Sequence, residues 1–293
     1  MKVVNLHEDK IIGLTATVME NVPMFHYFPQ STIVNVWLAG CPLDCSPCIR
    51  EVVKTKISDL RLVEFDGEVL NIITRRRPLM VMFNGGETLL HWNWLKKYIV
   101  LLKEHFRIGL KTVGLVEENA INDLIESKLV DVALYEIPCI EIKYFKKHMA
   151  HSLKKLVDSA IHVETMIPLT RREVSEDAIV GNVEAILGSM KHIPIIIYNP
   201  SLNFAVARTL WRKLREKGYT NVYVWGDPDL KYSSTYCPSC RNIIVLREGL
   251  NVYKVHVVSR KCQFCGYSIY IEEDLHSRRC RPHLYKLLEE PLI

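Results

Sequence analysis

From about residue 33 to residue 225 the chain alternates short apolar runs with longer amphipathic ones, a pattern that admits few architectures. The sequence predicts strands at Ile33 to Ala39, Leu79 to Phe83, Lys111 to Val116, Asp131 to Ile137, Ile161 to Ile167, Ile193 to Tyr198 and Asn221 to Trp225. Between them, Leu89 to Phe106, Asn119 to Lys128, Tyr144 to Ala160, Ser175 to Met190 and Ala205 to Lys217 carry apolar residues at three- and four-residue steps, as helices with one buried face do. Strands separated by helices pair in parallel through right-handed crossovers, and their reactive groups sit on the loops after the strand C-termini. About six such units predict an α/β fold, a partial (β/α)6 TIM-like barrel open along one side.

The texture changes after Trp225 at GDPDLKYSST, a stretch rich in turn formers. The remaining C-terminal segment is too short for another βα series. Ile243 to Leu246 and Val252 to Val258 predict a β-hairpin held between two CxxC corners. The expected organisation is a lead-in over 1–30, a barrel over 31–226, and a small zinc-ribbon-like domain with a tail over 227–293.

The opening MKVVNLHEDKIIGLTATVME lacks the apolar run of a signal peptide, and no later stretch approaches about 18 uncharged apolar residues, so a cytoplasmic protein is expected. Thiols stay reduced there, and grouped cysteines more often hold metal than form disulfides. The nine cysteines are grouped: Cys41, Cys45 and Cys48; then Cys237, Cys240, Cys262 and Cys265; with Cys139 and Cys280 apart. GCPLDCSPC sets three thiols at C-x3-C-x2-C directly after the first barrel strand. Three thiolates on one loop can hold three irons of a 4Fe-4S cube and leave the fourth iron open to a ligand. Small buried hydrophobes, or a zinc site completed by a histidine, are the other readings of the same residues. The four later cysteines, two CxxC pairs flanking the hairpin, suit a closed tetrahedral Zn2+ site; an auxiliary iron-sulfur cluster or a rubredoxin-like iron is the alternative.

The C-x3-C-x2-C loop, followed after the next strand by Gly85, Gly86 and Glu87, resembles the radical S-adenosylmethionine (SAM) enzymes. The flanks MFHYFPQSTIVNVWLAGCPLDC and YTNVYVWGDPDLKYSSTYCPSC, with CQFCG, resemble the radical-SAM component of the AmmeMemoRadiSam system, near the pyruvate formate-lyase-activating enzymes. That resemblance implies a 4Fe-4S cluster on Cys41, Cys45 and Cys48 whose open iron binds SAM, and reductive cleavage of SAM to a 5'-deoxyadenosyl radical that abstracts hydrogen from a substrate. It implies that Gly85 and Gly86 line the methionyl pocket and that Glu87 supports them. An electron donor of ferredoxin or flavodoxin type is implied, with Memo-type and AMMECR-type proteins as associates. The chain departs from the pattern at Pro47, where an aromatic residue is usual, at Pro138, where activating enzymes carry a lysine, and at FNGGET, where many members have a YNEP-like segment.

Glu136, ending the fourth strand, and Thr165, on the fifth, are further SAM-binding candidates. Glu117, Glu118 and Asn119 are either ribose contacts or a capped helix start. His91, His148 and His162 lack paired ligand spacing and are expected to be surface or satisfied core histidines. Cys139 is either a hydrogen donor facing the substrate or a buried inert thiol.

The formal charge of +5 overstates the case for a polyanionic partner. Seven bound thiolates, set against one zinc and one cluster, leave about +2. Nucleic acid and membrane are therefore not expected partners. An open barrel side suits a protein or peptide substrate, with the ribbon as docking surface or lid. A small-molecule radical enzyme of nucleoside, lipid or cofactor metabolism, and a non-catalytic zinc-ribbon module binding RNA or protein, are the alternatives.

Overall fold

The computed structural model describes residues 9–43, 62–138, 142, 145–169, 174–273 and 290–291. Cys45, Cys48, Cys139 and Cys280 lie outside the described residues. The chain opens with β1 (Lys10–Ile11), β2 (Gly13–Val18) and β3 (Thr32–Leu38), then β4 (Val63–Glu64), α1 (Gly67–Arg76) and β5 (Met80–Gly85). A 3-10 turn over Thr88–His91 leads into α2 (Trp92–Lys103), β6 (Arg107–Thr112), α3 (Glu118–Ser127), β7 (Val132–Glu136) and α4 (Lys146–Val157). The series ends with β8 (His162–Pro168), α5 (Glu176–Leu187), β9 (Ile195–Tyr198), α6 (Phe204–Glu216) and β10 (Val222–Val224).

The sheet runs β10-β9-β8-β7-β6-β5-β3-β2, and every neighbour pair from β3 to β10 is parallel. Strands added in one direction by right-handed crossovers put their helices on one face and leave the other concave. Seven parallel strands therefore curl towards a barrel. Among the described residues β10 pairs only with β9, so the barrel stays open on that side. At the other edge β2 pairs antiparallel with β3, and β16 (Glu290–Pro291) with β2. The sequence did not predict β2, β16 or α1.

Side chains alternate between the two faces. Val34, Val81, Leu110, Ala133, Val163 and Ile195 point to the helices. Ile33, Met80, Met82, Val132, Leu134 and Met166 point inward, where Met19, Val22, Met24, Tyr27 and Phe28 of the β2–β3 connection fill the space between them. All of these strand residues but Met166, which is level with Glu136, lie no later than the middle of their strands, so the base is apolar and plugged. Further along, the inner face turns polar at Asn35, Asn84, Lys111 and Glu136, all buried. The polar end is the C-terminal end, where parallel barrels carry their sites.

The third barrel strand sits four residues earlier than Lys111 to Val116. Gly109 reads as a strand breaker in sequence, yet it lies beneath the Met80 and Met82 sulfurs, which occupy the space a Cβ would take. A close approach of this kind is a positional use of strand glycine. Gly114, at φ +68°, ends the segment against Tyr135 and Ser152.

Beyond α7 (Leu230–Ser233), β11 (Thr235–Tyr236), β12 (Ile243–Glu248) and β13 (Asn251–Val255) form an antiparallel sheet, followed by β14 (Val257–Val258) and β15 (Lys261–Cys262). The predicted hairpin is β12–β13. Arg247 of β12 is fully buried and anchors this unit: its guanidinium lies over the Phe25 ring at 4.7 Å, donates to the Phe25 carbonyl at 2.5 Å and to Thr235 Oγ1 at 2.9 Å, and faces Glu20 at 3.6 Å. Tyr270 stacks on His162 and donates to the Val163 carbonyl. The anchorage is thus to the plugged base and the start of β8, so the unit buttresses the base. No described helix is long and apolar enough to cross a membrane.

Candidate functional site

Cys41 stands three residues after the end of β3, half-buried at the polar end of the barrel. Burial pushes its thiol up to about 11, with the Lys111 ammonium acting the other way. A thiolate there needs a cationic group to hold it, which is the chemistry of a metal ligand.

The chain leading to Cys41 is gripped from the neighbouring loop. Gly86 N donates to the Leu38 carbonyl at 3.1 Å, and Glu87 N to that of Gly40 at 2.8 Å. His91 Nε2 donates to the Ala39 carbonyl between them at 2.7 Å. Three consecutive carbonyls beyond the ladder thus find donors. Gly85 makes the approach feasible: at φ +117°, its Cβ would stand 2.1 Å from the Leu38 oxygen. The special glycine of the pair is Gly85; Gly86 is buried but outside the left-handed region.

Glu87 is buried with both oxygens occupied. Oε1 accepts from Thr112 Oγ1 at 2.7 Å and Leu89 N at 3.1 Å, and Oε2 from Val113 N at 2.7 Å. It ties the glycine loop to the end of β6, a supporting position. Burial pushes its carboxyl up from the ordinary range, against these three donors.

Glu136 ends β7 on the inner face, where its Oε2 accepts from Lys111 Nζ at 2.6 Å. The sequence reading passed over Lys111. Its signal was available, a charge inside a strand whose neighbours are apolar. Thr165 lies elsewhere: it alternates with Glu164 and Met166 on β8, and its hydroxyl donates to the Pro194 carbonyl at 2.7 Å. Its neighbours Val163 and Ile167 face the helices, so Thr165 does not join the other candidates. Glu117 stands at the N-cap position of α3 without a side-chain cap bond, and Glu118 on that helix pairs with Lys155 and His151, so this segment is a helix start. His148 is exposed and hydrogen-bonds the Val116 carbonyl; His91 and His162 are core residues.

Cys237, Cys240, Cys262 and Cys265 bring their sulfurs within 4.8 Å of one another. Cys237 and Cys265 are 3.6 Å apart, Cys240 and Cys262 3.8 Å. Asn242 N, together with its side-chain amide, lowers the Cys240 thiol to about 6, while burial pushes Cys237 up to about 11. Four converging sulfurs with no bond between them make a candidate metal centre.

No family model matches the sequence. A relative described as "Uncharacterized protein MJ0808", from Methanocaldococcus jannaschii, is 20% identical over 292 residues, covering 89% of this chain and 84% of its own length. Among solved structures, Streptococcus suis SuiB bound to S-adenosylmethionine is similar at a TM-score of 0.39 and 14% identity, over 66% of this chain and 42% of that one. The present chain therefore spans less than half of that protein's length.

Proposed function

We propose that the chain is a radical SAM enzyme, with a 4Fe-4S cluster on Cys41, Cys45 and Cys48 and SAM between Gly85–Gly86 and Glu136. The observation that carries this reading is the grip of Gly86, Glu87 and His91 on the carbonyls of residues 38–40. The chain leading into Cys41 and the segment from Gly86 to His91 thereby meet at the polar end of a parallel barrel. When bound, the cluster and SAM supply the reducing electron and the 5'-deoxyadenosyl radical that takes hydrogen from a substrate. The chain's own part is placement. Glu87 fixes the glycine loop to β6, the Lys111–Glu136 pair offers both charges to a zwitterionic amino-acid group, and the plugged base keeps water out from below.

For the four-cysteine centre we propose Zn2+, with a rubredoxin-like iron as the other single-ion reading. Zinc–sulfur bonds of about 2.3 Å in a tetrahedron set the sulfurs about 3.8 Å apart, whereas a cube holds its thiolates wider. Separations of 3.6 and 3.8 Å support the single ion. The substrate reading is a protein or peptide segment reaching the open side of the barrel, with a ferredoxin- or flavodoxin-like donor and Memo-type and AMMECR-type associates. A small-molecule substrate is the second reading.

Anaerobic reconstitution with iron and sulfide, followed by dithionite and SAM, tests the class. Formation of 5'-deoxyadenosine is expected in the native protein and not in Cys41→Ala, Cys45→Ala or Cys48→Ala. Undiminished product in any of the three variants would remove the cluster assignment.

A further inference from the structure

The geometry assigns His91 as a positioning residue for Cys41: its ring holds the Ala39 peptide, from which the cysteine loop departs, in one orientation. This rests on the proposed role of Cys41 and concerns what places that ligand.

The imidazole is nearly inaccessible and has a partner at each nitrogen. Nε2 faces the Ala39 carbonyl at 2.7 Å, which only accepts, so Nε2 must carry the proton. Nδ1 faces the Trp94 indole N–H at 3.2 Å, which only donates, so Nδ1 must be bare. The ring is therefore locked as one neutral tautomer. A proton added at Nδ1 would set two donors against each other, and burial holds the pKa below its ordinary value in the same sense.

Trp94, on the first turn of α2, is buried and packs edge-on to the ring at 5.7 Å. The Ala39 carbonyl is thereby referred to a rigid helix and not only to a loop. Gly86 and Glu87 hold the flanking carbonyls of Leu38 and Gly40 by backbone N–H groups, which any residue could supply. Only the middle carbonyl depends on a side chain. Gly40, at φ +89°, then turns the chain into Cys41. An unheld Ala39 peptide would let that turn pivot and move the sulfur. Metal sites are sensitive to this kind of support behind the ligand.

The test uses the full chain with His91→Gln, whose amide keeps a donor towards Ala39, and His91→Phe, which keeps ring volume without one. In metal-free protein, alkylation of Cys41 followed by peptide mass spectrometry should be at least about threefold faster in His91→Phe than in the native chain, and near native in His91→Gln. After reconstitution, His91→Phe should show altered g-values of the reduced cluster and faster iron loss, with His91→Gln restoring both. Native alkylation rate and native g-values in a folded His91→Phe would overturn the assignment.

If His91→Phe does not fold, Trp94→Phe serves instead. Removing the indole N–H takes away the contact that fixes the ring at Nδ1, so the reduced cluster's g-values should shift and iron loss should quicken as in His91→Phe; native g-values and native iron retention in a folded Trp94→Phe would overturn the assignment. A native protein that binds no iron would sink the parent reading, whereas native iron binding with an unchanged variant sinks only this one.

Discussion

Lys111 Nζ lies 2.6 Å from Glu136 Oε2, and the two side chains are 5% and 9% exposed, which makes them a buried ion pair on adjacent strands of the barrel's inner face. Removing one partner of such a pair strands a charge and typically costs about 3–5 kcal/mol, whereas replacing both with apolar residues is often neutral. Lys111→Met should therefore destabilise the protein by that amount, and Lys111→Met with Glu136→Leu should recover most of it. Denaturant titration reads the stability. If the pair also receives the amino-acid end of SAM, the double variant should be stable yet bind SAM at least about tenfold more weakly by calorimetry. Native affinity in the stable double variant would make the pair purely structural.

Zinc should outlast iron. Oxygen-exposed protein is expected to retain about one zinc per chain, because a closed tetrathiolate ion has no redox chemistry and no open position. Cys237→Ser should lose that metal. Because Arg247 joins β12 to Phe25 and Glu20, hydrogen exchange should accelerate over residues 243–255 and also over the base segment around residues 20–28. Exchange confined to the cysteine unit would show that Arg247 does not transmit the change.

These contacts mark where sequence reading stops. Six of the seven barrel strands and the β12–β13 hairpin are legible because periodicity records which face is buried. The Arg247 contacts cross more than two hundred residues of chain, and no local pattern distinguishes the inward arginine of IIVLREG from a solvated one. The plug over residues 19–28 is equally invisible, since its apolar residues lack either periodicity. At the polar end, nothing local in the sequence shows that the chain before Cys41 and the Gly85–Glu87 loop meet, nor that His91 bonds a carbonyl 52 residues away and an indole one helical turn on.

Acid should loosen the base through His26. Its Nδ1 faces the Tyr270 carbonyl and its Nε2 the Tyr223 hydroxyl, so the buried ring is a neutral Nδ1–H tautomer. Burial takes its pKa from 6.5 down to about 4, with Arg247 and His162 acting in the same direction and Glu164 and the Tyr270 carbonyl opposing. The unfolded chain binds this proton first as pH falls. The contribution is thus complete above pH 6.5 and is lost on the way down to pH 4, about 2 kcal/mol of it by pH 5 and about 3 in all. Denaturant titrations at pH 7 and pH 5 should show that loss in the native chain and a smaller one in His26→Gln. Equal losses would place the acid sensitivity in other groups.

The two glycines of the pair should separate folding from cofactor binding. At Gly85 a Cβ meets the Leu38 backbone at 2.1 Å, and φ is +117°, so neither space nor backbone conformation tolerates a side chain. Gly85→Ala should push β5 away from β3 and lower the stability of the metal-free protein by about 3 kcal/mol or more, combining strain with a clash against immobile backbone. Gly86 lacks the backbone constraint: its φ lies outside the left-handed region, and its N–H to Leu38 is a bond any residue but proline can make. A side chain there would strain neither the backbone nor that bond and would intrude where SAM is proposed to lie. Gly86→Val should keep its thermal midpoint and iron content near native while weakening SAM binding by at least about tenfold, roughly 1.4 kcal/mol. Cys41 follows β3 and not β5, so assembly of the proposed cluster should be spared. Equal SAM affinity in Gly86→Val and the native protein, by anaerobic calorimetry, would mean that the pair serves only the junction between β3 and β5, and that the SAM pocket lies elsewhere in the barrel.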